Sequence, residues 1–338
     1  MDASALLRRL IGGEDLDRAE VRELFGALMD GELSDVHKAA VLVALAAKGE
    51  RPEEIAGAAE AMRSRVVAIP HRRADAVDTC GTGGDGKGTF NVSTAAALVA
   101  AAGGAPIAKH GNRSVSSRAG SADVLAELGV DLELDPEALG RALDEIGIAF
   151  LFAPRLHPAM KEVMPVRREL GVRTLFNVLG PLTNPAGARR QLLGVYSQDL
   201  VEPIGRVLLE LGSEHALVVH GVDGLDELTT TGPSLVCEVR AGELELSRLE
   251  PERFGLPRRS LDELAGGDPG HNARMLQEVL EGRGRPALAE ITMLNAGAAL
   301  YVAGRAADLE SGVEEARTLV ESGAGAGVLE RLVRFGRA

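Results

Sequence analysis

The chain has 338 residues, more than one compact core usually holds, with ordinary hydrophobic content and a formal net charge of −13. That acidity argues against a nucleic-acid binder, which needs a basic face. Two cysteines, Cys80 and Cys237, are too few for a disulfide framework. They share no metal-ligand spacing, no apolar run is long enough to span a membrane, and the N-terminal stretch lacks a secretory pattern, so a cytoplasmic protein with no membrane partner is expected.

Residues 1–70 read as helix alone. Apolar residues recur at helical spacing over 16–29, Ser34 caps a helix over 35–48 that Gly49 ends, and Pro52 opens a third running to about 66. Alanine-rich faces there suit close packing, including packing against a second subunit. From Asp75 the pattern changes to short β-branched or apolar runs alternating with helical ones. Strands are predicted over 76–80, 105–109, 149–153, 191–196, 216–220 and 235–240. Helices are predicted over 93–102, 119–127, 136–146, 200–211 and 272–281. This alternation argues an α/β fold with a largely parallel sheet. Residues 154–177 interrupt it with helix formers and basic side chains. The expected organisation is a small all-helical domain over 1–70, to which 154–180 returns, and a larger α/β domain over 71–153 and 181–338.

Four stretches carry chemistry. The first, DTCGTGGDGKGTFNVST, runs from Asp78 to Thr94 between a predicted strand and a predicted helix. Its glycines permit close backbone approach, and the helix start offers N–H groups and a positive dipole end, which suits phosphate or pyrophosphate. It is neither a Walker A motif nor a dinucleotide fingerprint, and alone it reads equally as a surface turn. The second, Ala108 to Asp123, ends a run from Gly86 to Ala122 that contains no Asp or Glu but holds Lys87, Lys109, His110, Arg113 and Arg118. Lys109, Arg113, Ser114, Ser116 and Ser117 could hold phosphate or ribose oxygens, or could line a solvated loop. In the third, HGVDGLDEL, Asp223, Asp226 and Glu227 suit a hard divalent cation or an acidic helix start. The fourth, His157 to Ala186, offers Arg167, Arg168 and Arg173 as carboxylate forks, although arginines on an amphipathic helix are usually solvated. Nucleophile-elbow and zinc motifs are absent, so the inventory favours magnesium-assisted displacement of pyrophosphate or phosphate over acyl or hydride transfer.

Together GTGGDG with NVST, KHGNRSVSS, HPAMKEVMPVR, NVLGPLTNP and GLDEL, in this order, resemble the anthranilate phosphoribosyltransferase family over essentially the whole chain. The resemblance implies a mixed, mostly parallel sheet, a homodimer through the helical domain, and Mg²⁺-dependent transfer of phosphoribose from phosphoribosyl pyrophosphate to anthranilate, with two ions expected. It implies that Gly81, Gly84, Asp85, Thr89, Asn91, Val92, Ser93, Thr94, Lys109, His110, Gly111, Asn112, Arg113, Ser114, Val115, Ser116, Ser117 and Ser121 contact phosphoribosyl pyrophosphate. Ser93, Asp226 and Glu227 would hold metal. Gly81, Asn112, Pro154, His157 and Arg167 would contact anthranilate, Arg167 through its carboxylate. His110, Asn112 and Arg167 would serve catalysis, His110 as the side chain to watch as proton acceptor. The rivals are a pyrimidine-nucleoside phosphorylase, whose extra C-terminal domain this length does not accommodate, a relative with another aromatic acceptor, and a non-catalytic nucleotide sensor.

Overall fold

The computed structural model describes residues 2–114 and 118–337. Four helices come first: α1 (Ala3–Ile11), α2 (Arg18–Met29), α3 (Asp35–Lys48) and α4 (Pro52–Arg63). Their caps are those the sequence advertises: Asp17 and Glu20 form a capping box on α2, Ser34 accepts from His37 N on α3, and Pro52 opens α4. Glu54 is fully buried, but Leu16 N (3.0 Å), Arg51 N (2.8 Å) and Lys48 Nζ (2.9 Å) all donate to it, so the buried charge is compensated.

The α/β part follows as β1 (Val77–Asp78), α5 (Val92–Ala102), β2 (Ile107–Gly111), α6 (Ser121–Glu127), α7 (Pro136–Glu145) and β3 (Ile148–Phe152). Three short helices come next, α8 (Ala153–Leu156), α9 (Met164–Leu170) and α10 (Phe176–Leu179). The chain then returns through β4 (Arg190–Gly194), α11 (Val201–Glu210), β5 (His215–Gly221), β6 (Ser234–Arg240) and β7 (Glu243–Leu249). It ends in helices α12 (Pro269–Leu280), α13 (Pro286–Val302), α14 (Leu309–Glu321) and α15 (Ala324–Phe335). The seven strands form one sheet in the order β3-β2-β1-β4-β5-β6-β7. The first five are parallel and β6 and β7 are antiparallel, a mixed, mostly parallel sheet. The order turns back at β1, flanked by β2 and β4, and such a switch point is where open α/β sheets bind ligands.

The segment from 158 to 182 packs on the first helices. Val163, Val166, Leu175, Phe176 and Leu179 share an apolar cluster with Leu24, Phe25 and Leu28, and the Phe25 and Phe176 rings lie 5.5 Å apart. The buried Lys38 on α3 donates to Glu162 O at 2.9 Å.

Several elements depart from expectation, among them α14 and α15, which lie outside the predicted helices. β1 is shorter than the predicted 76–80 because the chain leaves the ladder at Thr79, whose carbonyl accepts from Lys109 Nζ at 3.1 Å instead of a strand neighbour. β7 is not among the predicted strands. It is an exposed edge strand whose charged Glu243, Glu245 and Arg248 discourage further pairing. Helix α13 is also unpredicted; it is buried on nearly every side, so it carries no polar stripe.

Candidate active site

The three loops that leave β1, β2 and β5 meet at the carboxyl end of the sheet. The glycine loop rises from β1 with Gly83, Gly84, Gly86 and Gly88 all at positive φ, between 65° and 77°, which a side chain would strain. Thr82 N donates to Gly194 O (2.8 Å) and Thr82 Oγ1 accepts from Tyr196 N (3.1 Å), tying the loop to the end of β4. Asp226 closes it from the other side, accepting from Gly83 N through Oδ2 at 2.8 Å. Glu227 accepts from Ser93 N at the start of α5 (3.1 Å). Residues more than a hundred positions apart in the chain therefore share one set of hydrogen bonds.

Gly194 is what lets this happen. A Cβ there would lie 1.5 Å from Asp226 O, so no side chain fits between β4 and the acidic loop. Gly194→Ala is expected to displace that loop and lower turnover by roughly tenfold or more, a loss of about 1.4 kcal/mol in transition-state stabilisation. Steady-state rates of the folded variant check it, and a rate equal to wild type would refute the packing argument.

The acidic loop is not a helix start. Asp226 and Glu227 lie in bends, with Asp85 close enough that its charge acts on both. Burial first, then the Asp85 charge, pushes the Asp226 carboxyl well above its ordinary range. Burial and then Asp226 do the same to Glu227, which Lys109 partly offsets. Crowded half-buried carboxylates beside a serine hydroxyl make a hard oxygen donor set, which fits Mg²⁺. Asp223 is different. Its side chain accepts from Leu225 N (3.1 Å), Thr229 Oγ1 (2.7 Å) and Thr231 Oγ1, so it shapes the loop and is no candidate ligand.

The start of α5 is already occupied, contrary to the expectation of free N–H groups. Val92 N donates to Phe90 O (2.8 Å), Ser93 N to Glu227 and Thr94 N to Asn91 O (3.1 Å). Of these, only the Ser93 bond ends on a side chain, which can swing away without unwinding the turn. The Val92 and Thr94 side chains are buried and present no surface to a ligand. Asn91 is likewise engaged, donating to Ala119 O (3.3 Å) and accepting from Asn272 Nδ2 (2.9 Å).

Lys109 is buried beneath the loop, with Nζ 3.1 Å from Thr79 O and 3.2 Å from Ser93 Oγ. It serves as an internal counter-charge for Glu227 and Asp78. Arg113 is exposed but paired with Asp123 (2.9 Å), which also accepts from Ser114 N and Gly120 N at 3.0 Å. The first acid after the acid-free run thus organises that loop. Gly111, Asn112 and Ser121 meet there, Ser121 Oγ donating to Asn112 O (3.4 Å) and leaving the Asn112 side chain exposed. Val115, Ser116 and Ser117 lie outside the described residues. Gly81 stands against Asp226, Gly84 and Asp85 form the loop tip, and Thr89 bridges to Ala265.

His110 and His157 face each other in the interior. His110 Nδ1 lies 3.1 Å from Gly180 O, so it carries the proton, and its Nε2 must accept from His157 Nε2 at 3.0 Å. That tautomer leaves His157 Nδ1 as a bare acceptor, and it is buried without a partner among the described residues. The free lone pair of the pair therefore belongs to His157, not to His110. Burial and their mutual proximity hold His110 down to about 3, and burial holds His157 down to about 4. Both rings are neutral at pH 7. Each binds its proton more weakly folded than unfolded, so stability falls as pH drops from about 6.5 toward 4, by about 3 kcal/mol for His157 alone. Asp78, raised to about 6 mainly by burial, works in the opposite sense in wild type and variant alike. Denaturant melts at pH 4.5 and 7.5 should show a smaller acid loss for His157→Gln than for wild type, and equal losses would refute it.

Asp78 and Asn184 were not predicted and hold this region together. Asp78 accepts from His110 N (3.1 Å) and Asn184 Nδ2 (2.7 Å), and Asn184 also donates to Ala108 O (2.8 Å). Asp78, half-buried Cys80 and His110 bring three donor atoms within 4.8 Å, but the hydrogen bonds on Asp78 and His110 already close that set.

Residues 73–326 match the glycosyl transferase family α/β domain, and residues 4–66 match that family's helical bundle domain. The chain is 54% identical over 98% of its length to anthranilate phosphoribosyltransferase of Rubrobacter xylanophilus, of which it covers 96%. It belongs to the anthranilate phosphoribosyltransferase family. A family member from Persephonella marina is 48% identical over 98% of each chain. The crystal structure of the Thermus thermophilus enzyme superposes with a TM-score of 0.94 at 50% identity, over the whole of both chains. The Saccharomyces cerevisiae family enzyme, in complex with PRPP and Mg, superposes with a TM-score of 0.90 at 28% identity, covering 100% of this chain and 99% of that one.

Against that family background the fourth motif divides. Arg168 is exposed on α9. Arg173 donates to Gly84 O (2.6 Å) and lies 4.0 Å over the Tyr196 ring, so it steadies the glycine loop. Arg167 is half-buried 5.5 Å over the Phe176 ring and forms no ion pair among the described residues. Pro154 is exposed at the start of α8, and His157 lies beyond that helix's end.

Proposed function

We infer that this chain transfers the phosphoribosyl group of 5-phosphoribosyl 1-pyrophosphate to the amine of anthranilate, giving N-(5-phosphoribosyl)anthranilate and pyrophosphate, a step of tryptophan biosynthesis. The observation that carries this reading is the closure of the glycine loop and the start of α5 by Asp226 and Glu227. It joins an anion cradle to a cation-binding pair at the sheet's switch point. Gly81, Gly84, Asp85, Thr89, the Asn91–Thr94 run, the Lys109–Ser117 run and Ser121 contact the phosphoribosyl pyrophosphate. Val92 and Thr94 take part through backbone alone. Ser93, Asp226 and Glu227 hold Mg²⁺, two ions in our reading. Magnesium held there would neutralise the charge that develops on departing pyrophosphate.

The acceptor's carboxylate lies on Arg167, with Gly81, Asn112, Pro154 and His157 around its ring. The aromatic amine is a nucleophile without prior deprotonation, so positioning carries most of the work. The proton it sheds goes to the His110–His157 pair, whose open lone pair is His157 Nδ1. The helical part comprises residues 1–70 and 154–180, and the α/β part the remainder. Exposed Ile11, Val36 and Val43 on α1 and α3 support a homodimer through these helices. We place the enzyme in the cytoplasm; among the described residues no helix is long and apolar enough to cross a membrane.

Anthranilate fluorescence should fall when the protein, Mg²⁺ and phosphoribosyl pyrophosphate are mixed. Unchanged signal, or an equal fall without Mg²⁺, would refute the reading.

A further inference from the structure

A cavity of about 300 Å³ lies at the other end of the sheet, between the segment leaving α4 and the one entering β4. Arg189 and Gln191, at the beginning of β4, and Ser213, before β5, line it, whereas the candidate active site follows the strand ends. Val66, Ile69, Pro185 and Leu211 supply apolar walls.

Two polar side chains on that lining are only partly paired among the described residues. Gln191 is 1% exposed; its Nε2 donates to Pro181 O at 2.6 Å, and its Oε1 is buried with no hydrogen-bond partner among the described residues. A buried acceptor left unpaired is costly. Arg63 is half-buried. Among the described residues its hydrogen bond runs from Nε to Leu182 O (2.7 Å), and no carboxylate pairs with it. Burial pushes its guanidinium below the ordinary value. Neither group has a place in the phosphoribosyl-transfer chemistry above.

An unpaired cationic fork calls for a carboxylate, and an unpaired amide oxygen calls for an N–H donor. The apolar walls call for a hydrocarbon body, and the volume is at the small end of ligand pockets. We propose that this cavity is a second, non-catalytic binding site for a small α-amino acid with an apolar side chain, its carboxylate on Arg63 and its ammonium on Gln191 Oε1. The site bears on catalysis through its wall. Asn184 lines it and donates to Asp78 and Ala108, which lie in β1 and β2 beneath Lys109 and His110.

The test uses the full chain without phosphoribosyl pyrophosphate, with L-leucine, L-phenylalanine, 3-phenylpropanoate and inorganic phosphate as probes in calorimetric titration and thermal shift. The two amino acids should bind saturably. Arg63→Gln should weaken them roughly tenfold or more, the scale of a lost charge-assisted hydrogen bond. 3-Phenylpropanoate should bind about fivefold more weakly than phenylalanine, because it cannot donate to Gln191. Ala188→Leu, which fills the cavity, should abolish binding while circular dichroism stays native. Saturating L-leucine should also change the KM for anthranilate, and not in Ala188→Leu. No saturable binding, equal binding by the carboxylate without an amine, binding of phosphate alone, or affinity untouched by either variant would overturn the site. Tight binding with an unchanged KM would overturn its coupling to catalysis.

Discussion

Asp226→Asn and Glu227→Gln should each lower kcat/KM by roughly 10²–10³-fold, the cost of removing one preorganised electrostatic contact from a charge-developing transition state. Thermal stability without metal should not fall. The two carboxylates are held close to each other and to Asp85, and removing one charge relieves repulsion that the folded chain otherwise bears. Their replacements keep the shape, and an amide oxygen can still accept from Gly83 N or Ser93 N. Asp223, in the same loop, is the internal control. It accepts from Leu225 N and from the hydroxyls of Thr229 and Thr231, so Asp223→Asn should cost stability before it costs rate. Melts and steady-state kinetics on the three variants separate the cases. A destabilised Glu227→Gln with near-normal turnover would make the pair structural and remove it from the metal site.

The sequence made the glycine loop visible because its residues announce their backbone, and Ser34 and Pro52 announced helix starts in the same way. Where a residue's work depends on a distant partner, sequence spacing gave no sign. Asp78 and Asn184 are 106 positions apart and meet over β2; neither residue type marks that meeting in advance. Val92 and Thr94 sit inside a matching motif, yet the first turn of α5 directs their side chains inward. The Ser93 N–H at that helix start looked free because its partner, Glu227, is 134 residues away, while those of Val92 and Thr94 turn back on Phe90 O and Asn91 O. The exchange of roles in the histidine pair needed Gly180 O, which fixes the tautomer of His110 and so opens His157. Helix α13 escaped for the opposite reason: burial on all sides erases the periodicity by which a helix is read.

Arg167→Ala should raise the KM for anthranilate by roughly 10²-fold and leave that for phosphoribosyl pyrophosphate within a few-fold, since a charge-assisted, bidentate contact is worth on the order of 3 kcal/mol. The spacing of Arg167, Arg168 and Arg173 did not choose among them, but their surroundings do. Arg173 is spent on Gly84 O and the Tyr196 ring, and Arg168 is out in water. Arg167 is drawn in over Phe176, and burial lowers its pKa while no carboxylate of the described chain answers it. An arginine held out of water without an anion is a cost that the folded chain meets elsewhere, and an aromatic carboxylate would relieve it. Arg167→Lys should recover only part of the loss, because an ammonium offers charge without the two-pronged geometry. Adding acceptors that lack the carboxylate, such as aniline, supplies the matching half of the cycle. Wild type and Arg167→Ala should use aniline equally poorly, and a wild type that still outpaces the variant on aniline would assign Arg167 a structural task in place of carboxylate recognition.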